Sequence, residues 1–364
     1  MTRTMRAYRV VRWGEPPELT EVPVPEPGSG EVLVEVAGTG LCHSDIAMAR
    51  MPADVGESLG WQVPFTLGHE VGGRIAALGP DAGEPGPGAG ALAVGDPVVL
   101  VSPASCGRCP YCVRGQDSAC PHGLVGRGYG RDGGLARYVV ARAPREVIPL
   151  RSLDPVVAAP LTDAGATSYH AVRRVLPRLV PGSTAVVIGI GGLGALAVQL
   201  LRVLSPARVV AVDAVRARLD VARDLGAHEV VEGADEATGP ALRAATGGEG
   251  AHVVLDIVGV DATIAAGLGA LRPHGAFALV GSGGGTLRRP WFGGLPREAE
   301  IFTFQGSCIA DAHEVVALAE EGRIRTDVQL FPLDRVADAY AALEAGELRG
   351  RAVVTPAPVP EEHP

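Results

Sequence analysis

The sequence contains no lysine: all 32 of its basic residues are arginine. That absence excludes a Schiff-base lysine and the lysine of a phosphate-binding P-loop. Asparagine is missing as well, so there is no N-glycosylation acceptor. Both gaps fit a compositional bias of the genome more simply than a selected function. No basic run of five or more occurs, and the net charge is −9, which argues against nucleic acid or an anionic membrane as a partner. The opening "MTRTMRAYRVVRWGEPPELT" has no apolar signal core, and no uncharged apolar stretch reaches 18 residues. The expectation is a cytoplasmic protein with reduced thiols. With 364 residues and 47% hydrophobic content, the chain suffices for two domains with cores of their own.

Cysteine is scarce, at six residues, yet four fall in "CGRCPYCVRGQDSAC", residues 106–120. Cys106, Cys109, Cys112 and Cys120 have intervals of two, two and seven residues, with glycine and proline between them. Four thiolates suit a closed tetrahedral zinc site, which stabilises a loop and does no chemistry. An iron–sulfur cluster is the competitor, and chance clustering or disulfides the bland alternative.

Upstream, "GTGLCHSDI" and "LGHEVGGRI" carry Cys42 and His69, one softer and one harder zinc ligand. A lone Cys or His is more often a core residue. Here each has an acid close by, Asp45 and Glu70, able to orient or exchange at a metal. A third ligand would be needed. Asp163 in "APLTDAGATSYHAV" reads locally as a helix N-cap.

Residues 184–201, "TAVVIGIGGLGALAVQLL", read as strand, glycine turn and helix, with Gly189, Gly191 and Gly194 matching G-x-G-x-x-G. The strand "ARVVAVDAV" then brings Asp213, 24 residues after Gly189, where an acid can bind the ribose hydroxyls of NAD and repel the 2′-phosphate of NADP. Amides after Gly191 would hold the pyrophosphate. Strand and helix patterns alternate onward to "EIFTFQGS", a possible sixth strand, predicting a doubly wound parallel sheet. Before it, short β-runs divided by Gly and Pro predict a β-rich domain, to which the final "RGRAVVTP" returns. Residues 81–95 and the tail "PAPVPEEHP" read as a surface loop and a frayed end.

Taken in order, "GLCHSD", "GHEVGG", the cysteine loop, "GIGGLG" and "RGRAVV" resemble the zinc-dependent medium-chain alcohol dehydrogenases from about residue 5 to 355. Around Asp163 the sequence is most similar to bacterial NAD-dependent secondary-alcohol dehydrogenases, which place an aspartate where liver-type members have a second cysteine. The resemblance implies an α/β protein: a β-rich GroES-like catalytic domain of residues 1–164 with 309–364, and a Rossmann NAD-binding domain of residues 165–308. It replaces the local reading of Asp163 with a ligand role. Catalytic zinc is implied on Cys42, His69 and Asp163, and structural zinc on Cys106, Cys109, Cys112 and Cys120.

Other roles follow at matching positions. The resemblance implies that Ser44 takes the substrate's hydroxyl proton, Asp45 orients His69, and Glu70 lies behind the zinc. His43 would sit near the pyrophosphate, and Thr167 would brace the nicotinamide. Gly189, Gly191, Gly192, Leu193 and Gly194 would form the phosphate turn, with Asp213 and Arg218 at the adenosine ribose. Position 47 departs from the liver-type pattern: Ala47 replaces the histidine that closes the proton relay there. The expected partner is a hydrophobic secondary alcohol or its ketone. Trp61, Phe65, Trp291 and Phe292 are candidate pocket walls, each read more simply as core or interface. Alternatives are a polyol- or aldehyde-oxidising relative, a zinc-free enone reductase, which the ligand residues and Asp213 oppose, or an NAD-binding protein without turnover. A homodimer or homotetramer is expected, joined through "FTFQGS". Cys308 has no assigned role beyond a buried thiol.

Overall fold

A computed structural model of the chain describes residues 3–84, 90–233, 235 and 238–356. Residues 85–89 of the expected surface loop and 357–364 of the expected frayed tail lie outside the described residues. The chain forms two compact units, Met1–Ala166 with Ser307–Pro364, and Thr167–Gly306.

The first unit is β-rich. Its largest sheet runs in the order Val147–Pro149, Pro97–Leu100, Glu70–Leu78, Glu31–Gly40, Arg351–Thr355, Val328–Pro332, and Tyr138–Arg142 also pairs with Glu31–Gly40. Val32, Val34 and Val36 alternate along the central strand and pack with Val71, Ile75, Val98 and Leu100, as a strand's period of two requires. Arg351–Thr355 is buried along its whole length and pairs antiparallel with the end of Glu31–Gly40. The C-terminal strand therefore returns to this unit, as its sequence suggests. A second cluster gathers Leu41, Met48, Trp61, Phe65, Tyr340 and Val354 beneath the helices His43–Ala49 and Val336–Ala345.

The second unit is a six-stranded parallel sheet in the order Glu229–Glu232, Arg208–Asp213, Thr184–Ile188, Ala251–Asp256, Leu271–Leu279, Glu300–Thr303. By chain position that order is 3-2-1-4-5-6, the doubly wound arrangement. Thr184–Ile188 is buried throughout, which explains its unbroken apolar run. The strand inferred from "EIFTFQGS" is the sheet's outermost member.

Candidate active site

Strand Glu31–Gly40 delivers the chain to Cys42, which is extended and opens the helix His43–Ala49. Asp45, in that helix's first turn, is fully buried. Its Oδ2 accepts from the Cys42 backbone N–H at 2.9 Å, and its Oδ1 lies 2.9 Å from His69 Nδ1. A buried carboxylate needs such partners. By accepting from Nδ1 it also fixes the imidazole tautomer, leaving Nε2 as a lone-pair donor. Nε2 is buried and has no hydrogen-bond partner among the described residues.

Around that nitrogen the ligand atoms of Cys42, His69, Glu70 and Asp163 all lie within 4.8 Å of one another. Asp163, between the turn Ala159–Thr162 and the helix Ala164–Val175, brings its Oδ2 to 3.5 Å from His69 Nε2. A thiol, an imidazole and a carboxylate converging on one point form a donor set suited to zinc. The electrostatics agree. Burial works against a charged His69, but Tyr129, Asp45 and Asp163 outweigh it and hold its pKa well above the usual value. Burial likewise pushes the Asp163 carboxyl up, yet His69 and Arg351 carry it well below the carboxylate range. The cluster thus favours positive charge at the point where a cation would sit.

Glu70 is fully buried, and burial pushes its pKa up to about 7 against the pull of Arg351. Arg351 forks onto it, donating through Nε to Oε2 at 3.1 Å and through the guanidinium to Oε1, and stands 3.9 Å from Asp163 Oδ2. Gly40 makes room for this pair: a Cβ there would stand 1.9 Å from Glu70 Oε2. The Tyr129 ring tilts over His69 with centroids 4.7 Å apart. Ser44 Oγ lies 3.5 Å from Cys42 Sγ on the exposed side of its helix, where His43 and Ala47 are exposed too. Sequence reasoning passed over Arg351 and Tyr129. An arginine opening a wholly buried strand was the available signal, because arginine is rarely buried without a partner.

In the cysteine loop, Cys109 Sγ lies 3.5 Å from that of Cys112 and 3.9 Å from that of Cys120, and the Cys106–Cys112 separation is 4.0 Å. A disulfide would need about 2.05 Å. A tetrahedron with bonds of about 2.3 Å has edges of about 3.8 Å, so the four sulfurs fit one zinc ion. The N–H of Arg108 leads in lowering the Cys106 thiol to about 6, whereas burial pushes Cys112 up to about 12. Asp117 in the same loop accepts from Arg145 at 2.6 Å and from the Ile309 backbone N–H at 3.3 Å. Cys308 is buried and sits 3.7 Å from Ser118 Oγ.

In the second unit, the helix Gly192–Leu204 follows Gly191 with no side chain capping its first amides. A Cβ on Gly191 would meet nothing within 4 Å among the described residues, whereas one on Gly194 would strike the carbonyl oxygen of Gly189 at 1.9 Å. Gly194 therefore lets helix and turn close up, and the space before Gly191 can take a pyrophosphate on the helix N-terminus. Asp213 ends the neighbouring strand, accepting from Ile190 N–H at 2.7 Å and Val215 N–H at 2.8 Å, with Arg218 at 3.9 Å. Thr167 is buried, and the adjacent Ser168 hydroxyl donates to the carbonyl of Leu193 at 2.9 Å. Trp61 and Phe65 are core residues, whereas Trp291 and Phe292 are 82% and 81% exposed. Among the described residues no helix is long and apolar enough to cross a membrane.

Comparison with known proteins matches residues 28–152 to the family described as alcohol dehydrogenase GroES-like domain, and residues 192–321 to zinc-binding dehydrogenase. The NAD-dependent alcohol dehydrogenase of Sulfurisphaera tokodaii is 33% identical, over 97% of this chain and 100% of that protein. The D-arabinose 1-dehydrogenase (NADP(+)) of Saccharolobus solfataricus is 32% identical, over 96% and 97%. The crystal structure of the alcohol dehydrogenase from Aeropyrum pernix superposes with a TM-score of 0.87 at 34% identity, covering 96% of this chain and all of that one.

Proposed function

The chain belongs to the medium-chain zinc-binding alcohol dehydrogenases, with a GroES-like and a Rossmann domain, and from that premise we propose how its own residues divide the work. It is an oxidoreductase that moves hydride between an alcohol and NAD. The observation that carries the site assignment is His69 Nε2, buried without a hydrogen-bond partner and aimed by Asp45 into the Cys42–Asp163 cluster.

Cys42, His69 and Asp163 would hold the catalytic zinc, and Cys106, Cys109, Cys112 and Cys120 the structural one, giving two ions per subunit. When bound, the first ion supplies Lewis acidity that makes the alcohol hydroxyl a proton donor, and NAD supplies the hydride acceptor. Cys42 and Asp163 each bring one negative charge, matching a divalent cation. Asp45 keeps the Nδ1 proton in place, so Nε2 stays a ligand. Ser44, exposed beside the Cys42 sulfur, takes the hydroxyl proton and releases it toward His43 or solvent, since Ala47 cannot carry one. Glu70, tied by Arg351, stays behind the ligands. Asp213 presents its carboxylate to the adenosine ribose, with Arg218 beside it, and favours NAD over NADP. Thr167 braces the nicotinamide.

The proposed substrate is a hydrophobic secondary alcohol or its ketone. The arabinose-oxidising relative makes a polyol or sugar the second reading. The outer strand Glu300–Thr303 offers an edge for a homodimer or homotetramer. Six free cysteines suit a reducing cytoplasm. The test is zinc content with turnover on 2-butanol, 1-phenylethanol and arabinose. Two zinc ions per subunit, falling to one in Asp163→Ala together with loss of NADH formation, is the expected result. An Asp163→Ala protein that keeps both ions and full turnover defeats the ligand assignment.

A further inference from the structure

Tyr340 is 9% exposed, and its Oη has no hydrogen-bond partner among the described residues. Its ring stacks on Tyr8 with centroids 6.0 Å apart and planes at 24°, which seats the ring but leaves the hydroxyl unaccounted for. A buried phenol ordinarily finds a partner, because an unsatisfied hydroxyl destabilises the fold. The helix carrying Tyr340, Val336–Ala345, packs on His43–Ala49, and Tyr340 and Asp45 line one cavity of about 480 Å3 with Ile46 and Leu67. Burial raises the phenol's pKa well above its ordinary value and Asp45 raises it further, so the group remains a donor. On the other side, Asp45 uses two acceptor positions, for Cys42 N–H and His69 Nδ1. An ionised carboxylate offers about four.

We propose that Tyr340 is a positioning residue whose hydroxyl donates a hydrogen bond to the Asp45 carboxylate and so braces the group that aims His69 Nε2 at the metal. The chain of contacts runs from Tyr340 through Asp45 to His69, and only the last touches the ion. The inference rests on the metal site proposed above.

The test is the rate at which zinc-loaded protein surrenders its ions to a colorimetric chelator, with the cysteine-loop ion as internal reference. Tyr340→Phe keeps the ring and its stack on Tyr8. It should speed release from the Cys42–His69–Asp163 site by about three- to tenfold, below the 10–100-fold typical of losing a group that touches the ligand directly. The cysteine-loop phase should not change. Asp45→Asn should release faster still, and adding Tyr340→Phe to it should change nothing further, because the hydroxyl acts through that carboxylate. A Tyr340→Phe protein with the wild-type release rate overturns the inference, as do effects that multiply in the double variant. If the wild type holds zinc in the cysteine loop alone, the metal-site reading falls first and this inference with it.

Discussion

Gly40→Ala adds one methyl group where the structure leaves none of the room it needs. The new Cβ would lie 1.9 Å from Glu70 Oε2 and 3.0 Å from Glu70 Cβ and Cδ. Glu70 has nowhere to turn, being fully buried and forked by Arg351. The strand cannot slide either, since Gly40 is paired with Glu70 on one side and Val353 on the other. Relief therefore means breaking the Glu70–Arg351 pair, and opening a buried ion pair costs about 3–5 kcal/mol. With an m-value of about 3 kcal/mol/M in urea, the midpoint should fall by about 1 M or more. The assay is urea denaturation followed by tryptophan fluorescence, because Trp13 and Trp61 both belong to the first unit. In a Glu70→Ala background the same glycine change should cost markedly less, since the contacts with Oε2 and Cδ are gone, no ion pair is left to open, and only the 3.0 Å contact with the residue-70 Cβ remains. Gly90→Ala is the control: it lies in the same unit, exposed and with nothing within 4 Å among the described residues, and should stay within about 0.5 kcal/mol of wild type. A Gly40→Ala protein within about 1 kcal/mol of wild type would refute the account of Glu70 as a clamped group.

Three further outcomes are expected. Asp213→Ser should lower the NAD-over-NADP preference in kcat/KM by about tenfold, and should cost about 1–3 kcal/mol in urea melts because the Ile190 and Val215 amides lose their acceptor. Burial pushes Glu146 up, but Arg127, 2.7 Å away, and Arg131 hold it below its ordinary value. That stability is complete above the unfolded pKa of about 4.3 and lost as pH falls through the lower folded value. Urea midpoints of Glu146→Gln should therefore depend less on pH below about 5 than those of wild type. Cys112→Ala should bind one zinc ion fewer by atomic emission while the Cys42 site keeps its own; loss of both ions would show that the two sites are not independent.

What the sequence disclosed was whatever is local along the chain. Cys42 and Asp45 lie three residues apart, the glycines of the turn and the four loop cysteines are close neighbours, and such spacing translates directly into geometry. Alternating valines mark the central strand of the first unit, and unbroken apolar runs mark the parallel strands of the second. Asp163 was ambiguous for a physical reason: an acid before a helix caps amides as readily as it binds metal, and only the fold brings it beside His69. Arg351 and Tyr340 lie still further from what they touch. Arg351 meets Glu70 across 281 residues, through a strand pairing that no local pattern encodes. Trp291 and Phe292 are not core residues, being 82% and 81% exposed, and aromatic character alone cannot tell a core residue from an interface one.

The interrupted first unit has a consequence for biogenesis. Residues 351–355 are translated only after the entire dinucleotide domain, yet they fill an interior place in the early sheet and bring the counter-charge for Glu70. Until they arrive, the nascent half-sheet exposes a bare flank and an acid it cannot yet bury. Its completion is a high-contact-order step, and a ribosome stalling before codon 351 would release a product open to aggregation and degradation.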